Sequence, residues 1–257
     1  ITALLALRSA MDAVALGRVR TALVIATDTR PQMDTSRFEP FVKGVTFMAM
    51  GLWGPVNGMM GLGAPVPVYA MSAQRYMHEY GLSERDVAEV SVRLREHSSQ
   101  HPLAQFTERV TVDEVLASPV LSPPIRLMQA AGISTGACAI VVTSEDVPRS
   151  TGRPGVAVSG WGEHHDPSHF IPQRGSITRF VSVEQAAAQA FEQAGRSPGD
   201  VDVAEVYGVF GATENILYED LGFCDKGTAP HFVREGRSTW GGDLVINPTG
   251  GRLSLGH

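Results

Sequence analysis

Apolar residues along the chain alternate between helical spacing and short continuous runs. Residues 2 to 16 carry leucine, methionine and valine at helical spacing, and Gly17 then provides a left-handed stop, which predicts a first helix. Residues 21 to 27 form a continuous apolar run of strand length, typical of a strand covered on both faces in a parallel sheet. A helix followed by a buried strand predicts an α/β fold.

The pattern changes between residues 31 and 128. Residues 31 to 68 lose their periodicity and are rich in Gly, Met and Pro, which indicates a long loop with a functional role or high mobility. Helical spacing returns at residues 69 to 80, and capping signals at Ser83 and Thr111 predict two further helix starts. Residues 31 to 128 are therefore predicted to be a mainly helical insertion.

The second part of the chain repeats the first in outline. A doubly covered strand is predicted at residues 139 to 143, and a polar stretch at 145 to 154 with two prolines is a plausible boundary. Beyond it the pattern predicts a strand at 156 to 159, a helix from 182 to 195 and a strand at 201 to 206. We therefore predict two similar halves, residues 1–150 with the insertion and residues 151–257.

Composition excludes several classes of protein. With 43% hydrophobic residues the chain is not disordered, and a net charge of −6 without a basic block argues against nucleic acid or an anionic membrane as partner. No run reaches the roughly 18 apolar residues of a membrane span. Two cysteines and nine methionines suit a reducing cytoplasm. The chain starts without methionine inside a helical pattern, so we interpret it as a piece of a longer protein.

Residues at strand ends are the first candidates for chemistry, because ligands of open α/β sheets bind beyond the carboxyl ends of the strands. Tyr207 ends the predicted strand at 201 to 206. A tyrosine hydroxyl is protonated at neutral pH, so it can donate a hydrogen bond to a developing oxyanion or transfer a proton. The alternative is a boundary tyrosine with its ring in the core and its hydroxyl in solvent.

His257 follows a glycine-rich strand exit, residues 247 to 256, where backbone can approach a ligand closely. A histidine in such a turn is a natural general base. The alternative is a frayed last residue without a functional role.

Other reactive residues favour structural roles. His164, His165 and Asp166 with His169 resemble a metal cluster, but a simple polar loop explains them better. Cys138 lies inside an apolar strand, where a buried thiol is normally inert, and Cys224 ends a predicted helix, where a structural role is favoured. The Met-rich loop fits either an apolar ligand pocket or a partner subunit. No P-loop, GxGxxG turn or Gly-x-Ser-x-Gly elbow occurs, so nucleotide cofactors and serine hydrolase chemistry are not expected.

Several stretches together resemble the thiolase superfamily, in particular its sterol-carrier-protein type, over nearly the whole chain. They are Gln74-Arg-Tyr-Met-His-Glu-Tyr-Gly81, Val115-Leu-Ala-Ser-Pro-Val120 with Pro124-Ile-Arg-Leu127, Asp220-Leu-Gly-Phe-Cys-Asp-Lys-Gly227, and Asn247-Pro-Thr-Gly-Gly-Arg-Leu-Ser-Leu-Gly-His257. The last stretch resembles the family's glycine-rich catalytic loop, in which the histidine of a Gly-His-Pro triplet is catalytic.

The resemblance implies a pseudo-duplicated αβαβα sandwich with a helical loop domain, CoA thioester substrates without a further cofactor, and a tight homodimer. His257 matches the histidine that activates the nucleophilic cysteine and helps to hold the thioester oxygen. Tyr207 matches the position where the family has Asn or His to order a water or polarise the substrate. Backbone amides near Gly250 and Gly251 are expected to contact the substrate.

This chain also departs from the family pattern. The resemblance places the nucleophilic cysteine before Ile1 and the second catalytic cysteine beyond His257, and neither Cys138 nor Cys224 matches them. Ser134-Thr-Gly-Ala137 replaces the usual Asp-Gly-Ala-Ala. Tyrosine at position 207 resembles the steroid side-chain retro-aldolases of this superfamily, which work with an OB-fold partner of the DUF35 type. Those enzymes replace the Gly-His-Pro loop, whereas this chain keeps its Gly-His.

Three functions remain open from the sequence. The leading hypothesis is an enzyme that makes or breaks a carbon–carbon bond next to a CoA thioester by acyl transfer or thiolysis, with a lipid or sterol-derived substrate. The first alternative is a retro-aldolase that cleaves a β-hydroxyacyl-CoA steroid side chain with a DUF35 partner. The second is a non-catalytic thiolase-like subunit that binds acyl or sterol ligands.

Overall fold

The computed structural model describes residues 2–28, 65–165 and 176–257. The helices in these ranges are α1 Thr2–Ala15, α2 Pro65–Tyr80, α3 Glu84–Ser98, α4 Val112–Ala117, α5 Asp146–Thr151, α6 Val181–Ala194, α7 Gly211–Asp220, α8 Ala229–Arg234 and α9 Gly251–Leu255. The strands are β1 Thr21–Asp28, β2 Val120–Ser122, β3 Ile125–Arg126, β4 Gly136–Thr143, β5 Val203–Ala204 and β6 Val245–Ile246. None of these helices is long and apolar enough to cross a membrane.

The chain divides into two units, Ile1–Gln32 with Ser134–Val158, and Met33–Ile133 with Ser159–His257. The first unit contains α1, β1, β4 and α5. Strands β1 and β4 pair antiparallel, from Thr21 opposite Thr143 to Asp28 opposite Gly136. The predicted helix and both predicted strands of this unit are confirmed, and Gly17 takes the left-handed conformation expected of a helix stop.

The burial expected for these strands is wrong within the described residues. Leu23 and Ile25 of β1 are each 60% exposed, and Val141 of β4 is 64% exposed. Cys138, predicted as a buried thiol, is likewise exposed. The physical reason is that α1 contacts both strands and Val24 is buried, but no second layer covers Leu23, Ile25 and Val141 among the described residues. The parallel pairing expected for these strands is also wrong, because β1 and β4 pair antiparallel.

The second unit is mainly helical over 65 to 117, as predicted for the described part of the insertion. Helices α3 and α4 each begin with a capping box, in which Ser83 pairs with Asp86 and Thr111 pairs with Glu114. Each box satisfies backbone N–H groups that a helix start leaves without partners, which is why these two short signals set the helix starts correctly. Residues 31 to 64 of the predicted insertion lie outside the described residues.

The core of the second unit surrounds α7, whose residues are almost all buried. One cluster packs Leu94 of α3 and Leu253 of α9 with Tyr218 of α7 and Ile246 of β6, and another joins α2 and α3 to Ile216. Burial of each such side chain contributes about 1.5–3 kcal/mol to folding. Helix α7 is therefore the central element against which the segments bearing the candidate site residues are packed.

The second half of the predicted pattern is confirmed in part. Helix α6 forms as expected, and Gly195 ends it in the left-handed conformation. The strand predicted at 156 to 159 is absent; Val156 is 99% exposed, and these residues pair with no strand in the described part of the chain. The strand predicted at 201 to 206 shortens to β5, which pairs in parallel with β6.

Candidate functional site

Tyr207 lies just beyond the carboxyl end of β5, at the position expected of a ligand-facing residue. Its side chain is 56% exposed, whereas Gly208 and Phe210 beside it are buried. The backbone at Val206 and Gly208 turns tightly, since the Gly208 N–H donates to the Val206 carbonyl at 3.1 Å. This turn presents the phenol to the surface instead of the core.

His257 lies beside Tyr207, so the two predicted catalytic residues are close together in the structure. Their ring centroids are 6.1 Å apart and the rings are nearly perpendicular, at 89°. On the tyrosine, the guanidinium carbon of Arg252 lies 4.3 Å from the ring centroid, a cation–π contact. Phenol, imidazole and guanidinium groups therefore form one surface cluster, the strand-end cluster of Tyr207, Arg252 and His257.

The loop that carries His257 is held by buried contacts. The His257 N–H donates to the Gly132 carbonyl at 2.6 Å, and the Ser254 carbonyl accepts from the Gln105 and Phe106 amides at 2.9 and 3.1 Å. Leu253, in the helix before it, belongs to the core. These bonds place the backbone of His257, while its side chain remains exposed.

The predicted substrate contacts at Gly250 and Gly251 are both buried. Their φ angles are +92° and +58°, and a Cβ would lie 2.4 Å from the Ser98 Cβ and 2.7 Å from the Asn247 Nδ2, respectively. Left-handed backbone together with close packing, of Gly250 on α3 and of Gly251 on Asn247, therefore already requires glycine at these positions. Their role in binding substrate stays a prediction.

Asn247 connects the two segments of the cluster. Its Oδ1 accepts from the Val206 N–H at 2.6 Å, and its Nδ2 donates to the Glu214 carboxylate at 2.6 Å. Its backbone is left-handed, with φ +53°, a conformation that asparagine tolerates better than most residues. The residue before Tyr207 and the start of the loop to His257 are thereby joined through one buried side chain.

Two titratable groups flank Asn247. Burial raises the pKa of Glu214 to about 7, although hydrogen bonds from Tyr218 and Asn247 act in the opposite direction. Burial also lowers the pKa of His97. The His97 Nδ1 lies 3.0 Å from the Asn247 carbonyl, to which it donates, so its Nε2, 2.7 Å from the Thr239 hydroxyl, accepts in the neutral ring.

The remaining candidates lie elsewhere. Cys224 packs against the core, and burial raises the pKa of its thiol to about 12, which opposes a nucleophilic role at neutral pH. His164 and His165 are exposed, and Asp166 and His169 lie outside the described residues. Within the described ranges no group of three or more His, Cys, Asp or Glu side chains is placed to hold a metal ion.

Sequence reasoning missed Asn247, Glu214, Arg252 and His97 as individual residues. Glu214 had no local signal, since an acidic residue is common in the first turn of a helix. Asn247 had one, because asparagine tolerates the left-handed backbone of a turn. Arg252 and His97 had none, since their partners are distant in sequence or set by side-chain geometry.

Solved structures define the class of fold. The chain matches a structure described as an Ltp2-ChsH2(DUF35) aldolase with TM-score 0.79 and 27% identity, covering 98% of this chain and 64% of that one. A monomeric SCP2-thiolase like protein from Mycobacterium smegmatis matches with TM-score 0.71 at 17% identity, over all of this chain and 50% of that one. The protein therefore has a thiolase-like α/β fold.

Sequence relatives identify the family. A family model described as Thiolase C-terminal domain-like matches residues 162–257. Benzoylsuccinyl-CoA thiolase subunit BbsB of Thauera aromatica is 39% identical over 74% of this chain and 49% of its own length. Sterol carrier protein 2 of Gallus gallus is 35% identical over 74% of this chain and 36% of its own.

The chain belongs to the thiolase superfamily, with relatives of the sterol-carrier-protein type. An acetyl-CoA acetyltransferase of Methanothermobacter thermautotrophicus matches 98% of the chain at 34% identity, and 63% of that protein is covered. The chain thus spans about half to two thirds of the length of these enzymes, and about a third of sterol carrier protein 2.

Proposed function

We propose that this protein is an enzyme that makes or breaks a carbon–carbon bond next to a CoA thioester, with thiolytic acyl transfer as its leading reaction. The observation that carries the proposal is the placement of Tyr207 beside His257, at the end of a strand and on a glycine-rich loop. The acyltransferase and thiolase names of its relatives support it. A lipid or sterol-derived acyl chain is the proposed substrate.

In thiolysis, His257 accepts the proton of a cysteine thiol, and the thiolate attacks the β-keto carbon of a β-ketoacyl-CoA. The Cα–Cβ bond breaks, its electron pair forms the enolate of the departing acyl-CoA, and a proton returns to Cα. CoA thiol then takes the acyl group from the cysteine. Hydrogen bonds to the thioester oxygen stabilise the enolate, and Tyr207 is the proposed donor.

This chain's own cysteines do not suit the nucleophile. Cys224 packs against the core and its thiol pKa is raised to about 12 by burial, and Cys138 matches neither catalytic cysteine position in the family resemblance. The family resemblance places the nucleophile before Ile1. The proposal therefore concerns the intact protein, of which this chain supplies the histidine and the tyrosine.

A retro-aldol reaction is the second candidate, and the exposed side chain of Tyr207 is the observation that favours it. Here Tyr207 or His257 removes the proton of the β-hydroxyl group. The Cα–Cβ bond breaks, its electrons form a thioester enolate, a carbonyl product leaves, and the enolate is protonated at Cα. No cysteine is needed. The structural likeness to an aldolase at 27% identity supports this reading.

Mass spectrometry of the intact protein with both substrate classes tests the proposal. Thiolysis predicts a mass increase equal to one acyl group after incubation with a β-ketoacyl-CoA, and its loss on addition of CoA. Retro-aldol cleavage predicts a carbonyl product from a β-hydroxyacyl-CoA without any covalent adduct. If both substrates bind and neither is cleaved, the protein is a non-catalytic acyl-binding subunit and the enzyme proposal fails.

We also propose a homodimer, which a DUF35-type OB-fold protein can join, in a reducing cytoplasm. One relative is itself named as a thiolase subunit, and one structural neighbour is named Ltp2-ChsH2(DUF35) aldolase, which supports such a partner. Light scattering of the purified protein, alone and coexpressed with the DUF35 protein encoded nearest to its gene, measures both assemblies. A monomer in each experiment would refute this part of the proposal.

A further inference from the structure

Glu214 is a fully buried carboxyl group in the first turn of α7, close behind the strand-end cluster. Its Oε1 accepts from the Tyr218 hydroxyl at 2.7 Å and from the Asn247 Nδ2 at 2.6 Å. Its Oε2 is buried and has no hydrogen-bond partner among the residues that the structure describes. Burying a carboxyl group that has hydrogen bonds to only one of its two oxygens costs folding free energy, so such a group is rare unless it has a particular role.

The other oxygen lies against the residue that follows Tyr207. A Cβ on Gly208 would lie 2.2 Å from the Glu214 Oε2, so the absence of a side chain at Gly208 leaves the space that the carboxyl group occupies. On the opposite side, the Val206 N–H donates to Asn247, which in turn donates to Glu214. The backbone on both sides of Tyr207 is therefore packed against or linked to Glu214: Gly208 lies directly against its carboxyl group, and Val206 is joined to it through the Asn247 side chain.

The same carboxyl group also supports the loop of His257. Asn247 begins that loop, and its carbonyl accepts from the Gly250 N–H at 2.8 Å. Gly251 packs directly on the Asn247 side chain. A change in the hydrogen bond between Asn247 and Glu214 would thus alter the support of both the backbone beside Tyr207 and the loop that carries His257.

Glu214 is poised to change charge near neutral pH, since its pKa is raised to about 7, chiefly by burial. Three titratable groups face it or its bridge. Tyr218, on the same helix as Glu214, has a raised pKa and stays protonated. The negative charge of Glu205, which follows β5, raises the pKa of Glu214. Burial lowers the pKa of His97 of α3, which lies on the other side of Asn247, and so favours its neutral ring. Glu214 is therefore the member of this buried group whose charge varies.

We propose that Glu214 is a positioning residue whose ionisation tightens the junction between Tyr207 and the loop of His257. An ionised carboxylate accepts stronger, shorter hydrogen bonds than a neutral acid, so the ionised form holds Asn247, and through it Val206, more firmly. Protonation weakens both bonds and loosens the alignment of phenol and imidazole. This inference rests on the proposed function, because it assigns that alignment a catalytic use.

The test compares Glu214→Gln with a matched control, Glu219→Gln. Gln keeps the shape and the acceptor oxygen but is neutral at every pH. Glu219 is a second buried acid on α7; it accepts from the Tyr76 hydroxyl and the Ala229 N–H, and its hydrogen bonds do not involve Asn247. kcat/KM of the intact protein is measured from pH 5.5 to 8.5, and the ratio of wild type to each variant is plotted, which cancels every titration that the wild type and the variant share.

For Glu214→Gln the ratio should be near 1 at low pH and rise through about pH 7 to a plateau of roughly tenfold to a hundredfold, the cost of a small misplacement of catalytic groups. For Glu219→Gln the ratio should be independent of pH. A flat ratio for Glu214→Gln, or the same rise for both variants, overturns the proposal.

A measurement independent of turnover separates this inference from the proposed function. Hydrogen exchange of the wild-type peptide covering residues 203 to 208, corrected for the intrinsic pH dependence, should show greater protection above pH 7 than below it. Glu214→Gln should abolish the difference. If the wild type shows the change but cleaves no acyl-CoA, the proposed function fails and the positioning role stands. If the wild type shows no change, the positioning role fails even where activity is found.

Discussion

The ring of Tyr207 stands edge-on to the imidazole of His257, with 6.1 Å between the ring centroids. The two residues lie fifty positions apart in the sequence and on different segments, yet both side chains are exposed at one place. A phenol that donates hydrogen bonds and an imidazole that exchanges protons are complementary groups for reactions through an enolate. Their proximity turns two weak sequence candidates into one candidate site.

Removing the hydroxyl of Tyr207 tests its chemical role without removing the ring. Tyr207→Phe should lower kcat by about 10²–10⁴-fold, the usual contribution of a positioned proton donor or acceptor. Unfolding free energy should change by less than about 0.5 kcal/mol, because the side chain is exposed. Steady-state kinetics and urea denaturation measure the two effects. Tyr80→Phe, at the end of α2, is the control; equal losses of activity in both variants would contradict a specific role.

Replacing His257 distinguishes the two proposed reactions. In thiolysis His257 is the base of the cysteine, so His257→Gln should lower acyl-enzyme formation by about 10²–10⁴-fold. In retro-aldol cleavage with Tyr207 as the base, the same variant should retain most of its activity while Tyr207→Phe loses it. Rapid-quench mass spectrometry gives the rate of adduct formation. Full acylation rates in His257→Gln would rule out its role as the base.

Sequence patterns predicted the exposed pair of Tyr207 and His257 and missed the buried side chains behind it. Tyr207 and His257 lie at a strand end and a glycine-rich exit, which local patterns reveal. Asn247 and Glu214 matter through contacts across 33 residues, which no local pattern specifies. For the same reason the helix starts at Ser83 and Thr111 were predicted correctly, while the exposure of Cys138 was not, because it depends on what covers the sheet.

Asn247 is expected to be the most sensitive residue of the site for stability. Asn247→Ala leaves the Val206 N–H and Glu214 without their buried partner, at about 1–3 kcal/mol for each group, and adds strain because φ is +53°. Asn247→Gly loses the same bonds but relieves the strain, so it should be more stable than Asn247→Ala by about 1 kcal/mol. Urea denaturation measures both. Equal stability of the two variants would contradict the strain argument.

The cation–π contact between Arg252 and Tyr207 should appear as a coupling energy. A double-mutant cycle with Arg252→Met and Tyr207→Leu should give about 0.5–1 kcal/mol in unfolding free energy, the range for a partly exposed pair. Arg252→Lys, which keeps the charge but not the planar group, should retain part of it. Additive effects of the single substitutions would mean that the contact contributes nothing to stability.

His97 should make the second unit less stable in mild acid. Burial lowers the pKa of His97 in the folded chain below the ordinary value of 6.5. At a pH between the folded and unfolded pKa values, His97 is protonated in the unfolded chain and neutral in the folded chain. Its stabilising contribution is therefore complete above about pH 6.5 and is lost progressively as the pH falls toward the folded value. The direction follows from burial, which disfavours the charged ring, whereas the hydrogen bond to the Asn247 carbonyl acts in the opposite direction.

Unfolding free energy should therefore fall more steeply between pH 6.5 and 5 in the wild type than in His97→Gln, which cannot titrate. Glu214 acts with the opposite sign, because its raised pKa adds stability at low pH that is lost as the pH rises through about 7. That term is common to both proteins, so the difference between their curves isolates His97. His231→Gln, an exposed histidine in α8, should keep the wild-type slope. Parallel curves for wild type and His97→Gln would show that His97 takes up its proton equally in the folded and unfolded chain, and that the junction at Asn247 does not depend on its neutral form.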